Sequence, residues 1–351
     1  MALSKQDPRL AFYCEKHDDI SHLTRRYVLL FYYEDHSIEM REMPNNVLHL
    51  KRTPFPHLKK DDFNIGSVLT IFGGIVTLTA YADEVTRELC ERKSESTVIL
   101  LGESLLSQMG RCLAILTEEC GFTISAMQMT WTMEDAVANY GLPAELVGGR
   151  VVVVRCARTD AIQKGLDYVN RVPGAHAAHN EEEAKRWNQL LEEASKQPVA
   201  IFNDYRSSVI IVKPHALRKK AGGSIIQHLL DVTRLELTAL MLVNLSSRVV
   251  DEFLQPYKGV LPDFVETASA LTGPVWILQL VSLNDDVVDV ISTVREVCGP
   301  FDPFIAKELR PKTIRAIFGV NRAENAVHCC DLPDEGPLYA DFFFKRNVQE
   351  A

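Results

Sequence analysis

Apolar positions along the 351-residue chain fall into short runs, and the runs change character near residue 95. From residue 8 to about 93 they are β-rich. RYVLLFYY and IEMREM lie either side of Glu34, Asp35, His36 and Ser37, the mark of a hairpin. Pro54 and Pro56 interrupt the next stretch. SVLTIFGGIVTLTAY predicts two further strands about Gly73 and Gly74, and the polar stretch ELCERKSES is expected to close the unit.

Beyond residue 95 the pattern repeats itself. The run STVILL at 96–101 is matched by SSVIIV at 207–212. After each come a polar break, an amphipathic helix (residues 113–119 and 225–232) and a strand (TISAMQM and LTALMLV). Each copy then has an acidic helix (residues 133–140 and 249–257) and a Gly-bounded apolar strand, GGRVVVVRC or TGPVWILQL. The order β-α-β-α-β in both copies is the start of a ferredoxin-like unit, so the fold class is α+β with two related domains. The copies differ at the end. The second runs through a long segment, residues 298–336, that the first lacks.

Bulk properties narrow the classes. The length suggests two or three domains, and no apolar run approaches the ~20 residues of a membrane span. Charges and Pro8 occupy the place of a secretory apolar core, which predicts a protein that is not exported. Eight cysteines, at 14, 90, 112, 120, 156, 298, 329 and 330, include no CxxC pair, so free thiols are expected and no zinc site. The formal charge of −9 opposes binding to nucleic acid through phosphate neutralisation. Up to residue 93 the 13 basic and 14 acidic residues nearly balance, so the acidity belongs to the remainder.

The second copy carries the chemistry. Lys213, Pro214, His215 and Ala216 follow its first strand, and Arg295, Arg315, Asn325 and His328 lie in its C-terminal half. A lysine, two arginines and an amide around a histidine suit a phosphate site, with a neutral imidazole nitrogen as the attacking group. Spacing alone is equally compatible with unrelated surface side chains. Gly222 and Gly223 read as a helix-start turn rather than a phosphate nest, Trp276 as core, and Asp285 with Asp286 as a solvated loop. In the first copy, His179 precedes Asn180 with Glu183 three residues on, a capping arrangement.

Taken together, the Lys-Pro-His-Ala start, the segment at 310–315 and the Asn325, His328 and Asp331 string resemble the nucleoside diphosphate kinases over about 205–346. The resemblance implies ping-pong transfer of a γ-phosphoryl group through a phosphohistidine at His328, with Mg²⁺ on the phosphates of ATP. It implies that Lys213, Arg295 and Arg315 contact phosphates and Asn325 the ribose side, with no protein-held metal. Several positions depart from that pattern. The base-stacking aromatics fall on Leu254 and Pro262, a phosphate-donating threonine on Phe301, the serine after the histidine on Cys330, and the glutamate orienting the imidazole near Tyr339. Turnover is therefore expected to be slow or absent.

The first copy, about 95–198, resembles the same family in a degenerate form. Its lysine position reads Leu101, Gly102, Glu103 and Ser104, His179 aligns with the nucleophile, and His176 stands at the asparagine position. No activity is expected there. Residues 8–93 resemble the DM-ten domain, a pleckstrin-homology-like module of ciliary proteins, in residues 26–42, 49–52, 62–66 and 81–87. This domain order is similar to that of an axonemal class of nucleoside diphosphate kinase homologues. That similarity implies a cytoskeletal protein inside the doublet microtubules of cilia and flagella, with tubulin and other microtubule inner proteins as partners and no membrane partner.

Overall fold

The computed structural model describes residues 8–18, 23–63, 65–72, 74–91, 95–196, 199–201, 206–260, 263–282 and 289–345. Gly73, Pro262, Asp285 and Asp286 lie outside the described residues. The chain divides into two compact units, residues 1–94 and 95–351.

The first unit is a six-stranded antiparallel sheet: β1 (Arg9–Asp18), β2 (Leu23–Tyr32), β3 (Ser37–Glu42), β4 (Val47–Pro54), β5 (Val68–Ile71) and β6 (Gly74–Tyr81), in the order β4-β3-β2-β1-β6-β5. The hairpin at 33–36 forms as expected, with His36 at φ 51°. Alternation places Phe12, Leu29, Phe31, Ile38 and Leu78 on one face around Phe63, which stacks on Phe31 at 4.1 Å. The closing stretch differs from expectation. It is not a polar connector: its first residues belong to helix α1 (Glu84–Glu91), capped by Asp83, and its last two begin the next strand. The helix is tethered where the buried Ala11 N–H donates to Thr86 Oγ1 at 2.8 Å.

In the second unit the first copy runs β7 (Glu95–Leu101), α2 (Met109–Ala114), β8 (Thr123–Trp131), α3 (Asp135–Tyr140), β9 (Arg150–Arg158), α4 (Ala161–Arg171), β10 (Ala175–Ala177) and α5 (Glu181–Ala194). The second runs β11 (Ser207–Val212), α6 (Pro214–Arg218), α7 (Gly222–Thr233), β12 (Glu236–Leu245), α8 (Ser247–Phe253), α9 (Phe264–Leu271), β13 (Gly273–Val281), α10 (Val290–Cys298), α11 (Pro303–Leu309), α12 (Ile314–Phe318), β14 (Val327–Cys329) and α13 (Glu335–Ala340). The segment missing from the first copy is now visible as structure. Three residues join α4 to β10, whereas α11 and α12 intervene between α10 and β14.

The two copies share one eight-stranded sheet, ordered β10-β7-β9-β8-β12-β13-β11-β14. Each half repeats the other reversed, so a pseudo-two-fold axis passes between β8 and β12. The pair that bridges them, Gln128 opposite Met241, joins equivalent positions. Both strands carry a bulge at the same place, between Ile124 and Ala126 and between Leu237 and Ala239. The axis also crosses α2 and α7 at two glycines. A Cβ on Gly110 would stand 2.1 Å from the backbone N of Gln227, and one on Gly223 would stand 2.3 Å from that of Ala114. One face of the sheet therefore has a single core common to both halves, packed under α2, α4, α7 and α10. The other face carries a separate cluster for each half. Among the described residues no helix is long and apolar enough to cross a membrane.

Candidate functional site

β11 is buried at every position, and its end delivers Lys213 to a Pro-initiated helix, α6. The Lys213 N–H donates to Ala326 O at 2.9 Å, which ties the strand end to the loop before β14. Ala326 is fully buried at φ 75°, a left-handed conformation that costs about 1 kcal/mol or more for alanine. α12 brings Arg315 to the same place, and α10 brings Arg295 to its rim. Four of the five expected residues, Lys213, Arg315, Asn325 and His328, thus converge around β14. Arg295 reaches it through Asp331, to which its Nε donates at 3.1 Å.

The cations face inward. Lys213 is 1% exposed and its Nζ donates to Ala323 O at 2.7 Å. Burial, then the Arg315 guanidinium, pushes its ammonium down to about 7, with Glu324 acting the other way. Arg315 donates from Nη1 to Gly299 O at 2.7 Å and from Nη2 to Val327 O at 3.2 Å. Asn325 Nδ2 donates to Phe301 O at 3.0 Å. Phe301 stands near the guanidinium, its ring centroid 5.9 Å from Cζ. Of these groups, Arg315 Nε and Asn325 Oδ1 are buried without a partner among the described residues. A triphosphate with Mg²⁺ would need Lys213 and Arg315 released from their carbonyls, so these residues do not fit that group as they stand.

His328 sits in an aromatic box. The Phe253 and Tyr257 rings meet it edge-on, with centroids at 5.3 and 5.9 Å, and Tyr339 lies nearly parallel, 20° from its plane. Its Nε2 is 3.1 Å from the Tyr339 hydroxyl, so a phenol occupies the orienting position expected there. Burial first, then Lys213 and Arg315, pushes the imidazole down to about 3, which keeps it neutral at physiological pH. Leu254 is fully buried at the end of α8 and offers no stacking surface. Cys330 turns to β11 instead, where its sulfur accepts from Val209 N at 3.4 Å; burial pushes the thiol up to about 12. Tyr257 and Glu335 carried no signal in the sequence, because 78 residues separate them and only the fold brings them together.

Register corrects one assignment in the first copy. A single ladder crosses the sheet from His176 through Leu100, Val153, Gln128, Met241, Ile277 and Ile211 to His328. His176, not His179, therefore holds the position of His328; linear alignment shifted by three because the preceding segment is gone. His176 pairs with Glu145 at 3.1 Å. His179 does what its spacing suggested: Asn180 caps α5 by accepting from Glu183 N, and Glu183 reaches back to both the N–H and Nδ1 of His179. Glu103, at the lysine-equivalent end of β7, is bound by Arg150, whose Nη2 lies 2.8 Å from Oε1. The same Arg150 donates to Leu237 O of the second copy at 3.2 Å. That corner now holds an internal ion pair, and its carboxylate would repel phosphate.

A pH effect follows from the buried bases. His215, 3% exposed, has neither ring nitrogen paired among the described residues, and burial followed by Lys213 pushes it down to about 4. Both His215 and His328 are easier to protonate in the unfolded chain. Their neutral forms add nothing to the pH dependence above about 6.5, and stability falls as pH drops from there toward 4. Each unit of displacement is worth about 1.4 kcal/mol, so the loss is on the order of a few kcal/mol. His215→Leu removes two unpaired buried nitrogens and should raise the urea midpoint at pH 7 by about 1 kcal/mol equivalent. Its advantage should widen at pH 4.5, and curves that stay parallel would contradict the assignment.

Residues 206–348 match a family model described as nucleoside diphosphate kinase. The chain is 32% identical to the mouse nucleoside diphosphate kinase homolog 7, covering 98% of this chain and 95% of that protein. It is 30% identical to the rat protein of the same name over the same shares. Among solved structures, the Aquifex aeolicus nucleoside diphosphate kinase is 31% identical, covers 40% of this chain and 94% of its own, and aligns with a TM-score of 0.37. Likeness that covers 98% of the chain, together with the family match over its C-terminal part, shows the lineage: the chain belongs to the nucleoside diphosphate kinase homolog 7 family.

Proposed function

We propose that this protein is a structural and interaction component of ciliary and flagellar doublet microtubules, built on kinase-type domains whose turnover is weak or absent. One observation carries the reading: Lys213 Nζ and both Arg315 Nη atoms are held by backbone carbonyls, where they support the fold instead of a phosphate. The first copy fits the same picture, since Glu103 and Arg150 fill its phosphate corner and α11 and α12 have no counterpart there. On this reading residues 8–93 are a DM-ten domain, 95–198 a degenerate kinase-like domain and 205–346 a second one. The partners are tubulin and neighbouring inner proteins of the axoneme. Isolated doublets should contain the chain at a fixed axial repeat, and it should stay with them through detergent extraction. Protein found wholly in the soluble fraction would reject the proposal.

A second reading is favoured by the neutral, oriented imidazole. His328 accepts γ-phosphate from ATP–Mg²⁺, after Lys213 and Arg315 swing out, and passes it to a nucleoside diphosphate. Labelled ATP should then leave an acid-labile, base-stable adduct that His328→Ala removes. If high concentrations of protein and nucleotide leave no label, this reading fails, and calorimetry shows whether ATP binds at all.

A further inference from the structure

Three side chains from residues 328–339 and that of Tyr257 form one hydrogen-bonded line beside β14. His328 Nε2 lies 3.1 Å from the Tyr339 hydroxyl, Tyr339 lies 2.8 Å from the Tyr257 hydroxyl, and Tyr257 lies 2.7 Å from Glu335 Oε1. The first two links have no intrinsic direction, since an imidazole nitrogen and a phenol can each give or accept. The far end supplies it. Glu335 Oε2 already accepts the backbone N–H groups of Asp331 and Leu332, so three donors converge on one side chain. An ionised carboxylate only accepts. Tyr257 therefore donates to Oε1, and its oxygen accepts from Tyr339. With its hydrogen committed, Tyr339 can only accept from the imidazole.

We infer that Glu335, acting through Tyr257 and Tyr339, is a positioning residue that holds His328 as the Nε2–H tautomer and leaves the Nδ1 lone pair free to attack. Among the described residues no hydrogen-bond partner stands at Nδ1. The aromatic box fixes the ring plane, and the relay fixes which nitrogen bears the hydrogen. Each link polarises the next, so the anion at one end acts on the imidazole at the other. Tyr257 is edge-on to the imidazole as well as a relay member, which couples ring orientation to proton placement.

The catalytic meaning of this relay rests on the phosphohistidine reading above, but the tautomer is measurable without turnover. Protein labelled with ¹⁵N-histidine, in the full chain at pH 7, should show His328 with a protonated Nε2 and an unprotonated Nδ1. Tyr257→Phe leaves Tyr339 without an acceptor and frees its hydrogen for Nε2. The population should then move toward the Nδ1–H form, by tenfold or more in tautomer ratio. Glu335→Gln should give an intermediate ratio, and it serves where Tyr257→Phe loosens the aromatic box. A wild-type His328 protonated on Nδ1, or a tautomer ratio that neither variant moves, would overturn the inference. The expected tautomer without any label from ATP would instead leave the relay standing and reject phosphotransfer.

Discussion

An alanine at Gly110 should lower the urea midpoint of residues 95–351 by the equivalent of about 3 kcal/mol, as overpacking does when nothing can yield. The new Cβ would meet the Gln227 backbone N at 2.1 Å, its Cα at 2.6 Å and Gly223 O at 2.6 Å. These are main-chain atoms of α7, so relief requires the two helices to separate. Gly→Ala in a helix ordinarily gains about 1 kcal/mol, and here the clash outweighs that gain. Moving α2 from α7 opens the core shared by both copies, so the transition should also broaden. Far-UV circular dichroism against urea checks this, and an unchanged midpoint would mean the helices do not cross there.

Trp187→Ala should cost about 3–5 kcal/mol, the usual range for emptying a large aromatic site. Trp187 is 1% exposed and packs with Val98, Leu100, Val151, Val153 and Leu190 against the sheet of the first copy. Its Nε1 has no partner among the described residues, so the loss is almost wholly one of packing. The informative readout lies in the other copy. Trp276, on β13, pairs with Leu242 of β12, and β12 meets β8 and through it β9. With Trp131 also replaced by Phe in both proteins, Trp276 fluorescence should report unfolding at the same lowered urea concentration if the two copies form one cooperative unit. A Trp276 transition that stays at its original midpoint would show that the halves unfold separately.

Strands were legible where burial is two-sided. STVILL, GGRVVVVRC and their partners are apolar runs of strand length, and each appears where its pattern puts it, because a central strand needs apolar groups on both faces. The start of α7 at Gly222 and Gly223 and the buried Trp276 were legible for the same local reasons. Helix α1 was missed because its polar outer face dominates so short a segment. The place of His176 was missed because spacing measures distance along the chain, while position in a sheet is set by pairing. The same limit hid the β8–β12 junction: Gln128 and Met241 are ordinary interior residues until they are seen opposite each other. At the site, the residue types at 213, 295, 315, 325 and 328 could be read in advance. The inward turn of Lys213 and Arg315 could not, because it depends on carbonyls of Gly299, Ala323 and Val327 placed by tertiary structure.

The outermost strands, β10 and β14, are three residues each. So brief a margin gives another polypeptide little main chain to hydrogen-bond with, which discourages fibre-like growth from either border. Lateral assembly of this unit must therefore proceed through side-chain surfaces on its helices and loops. Contacts of that kind can be reshaped one substitution at a time while the inherited sheet stays intact.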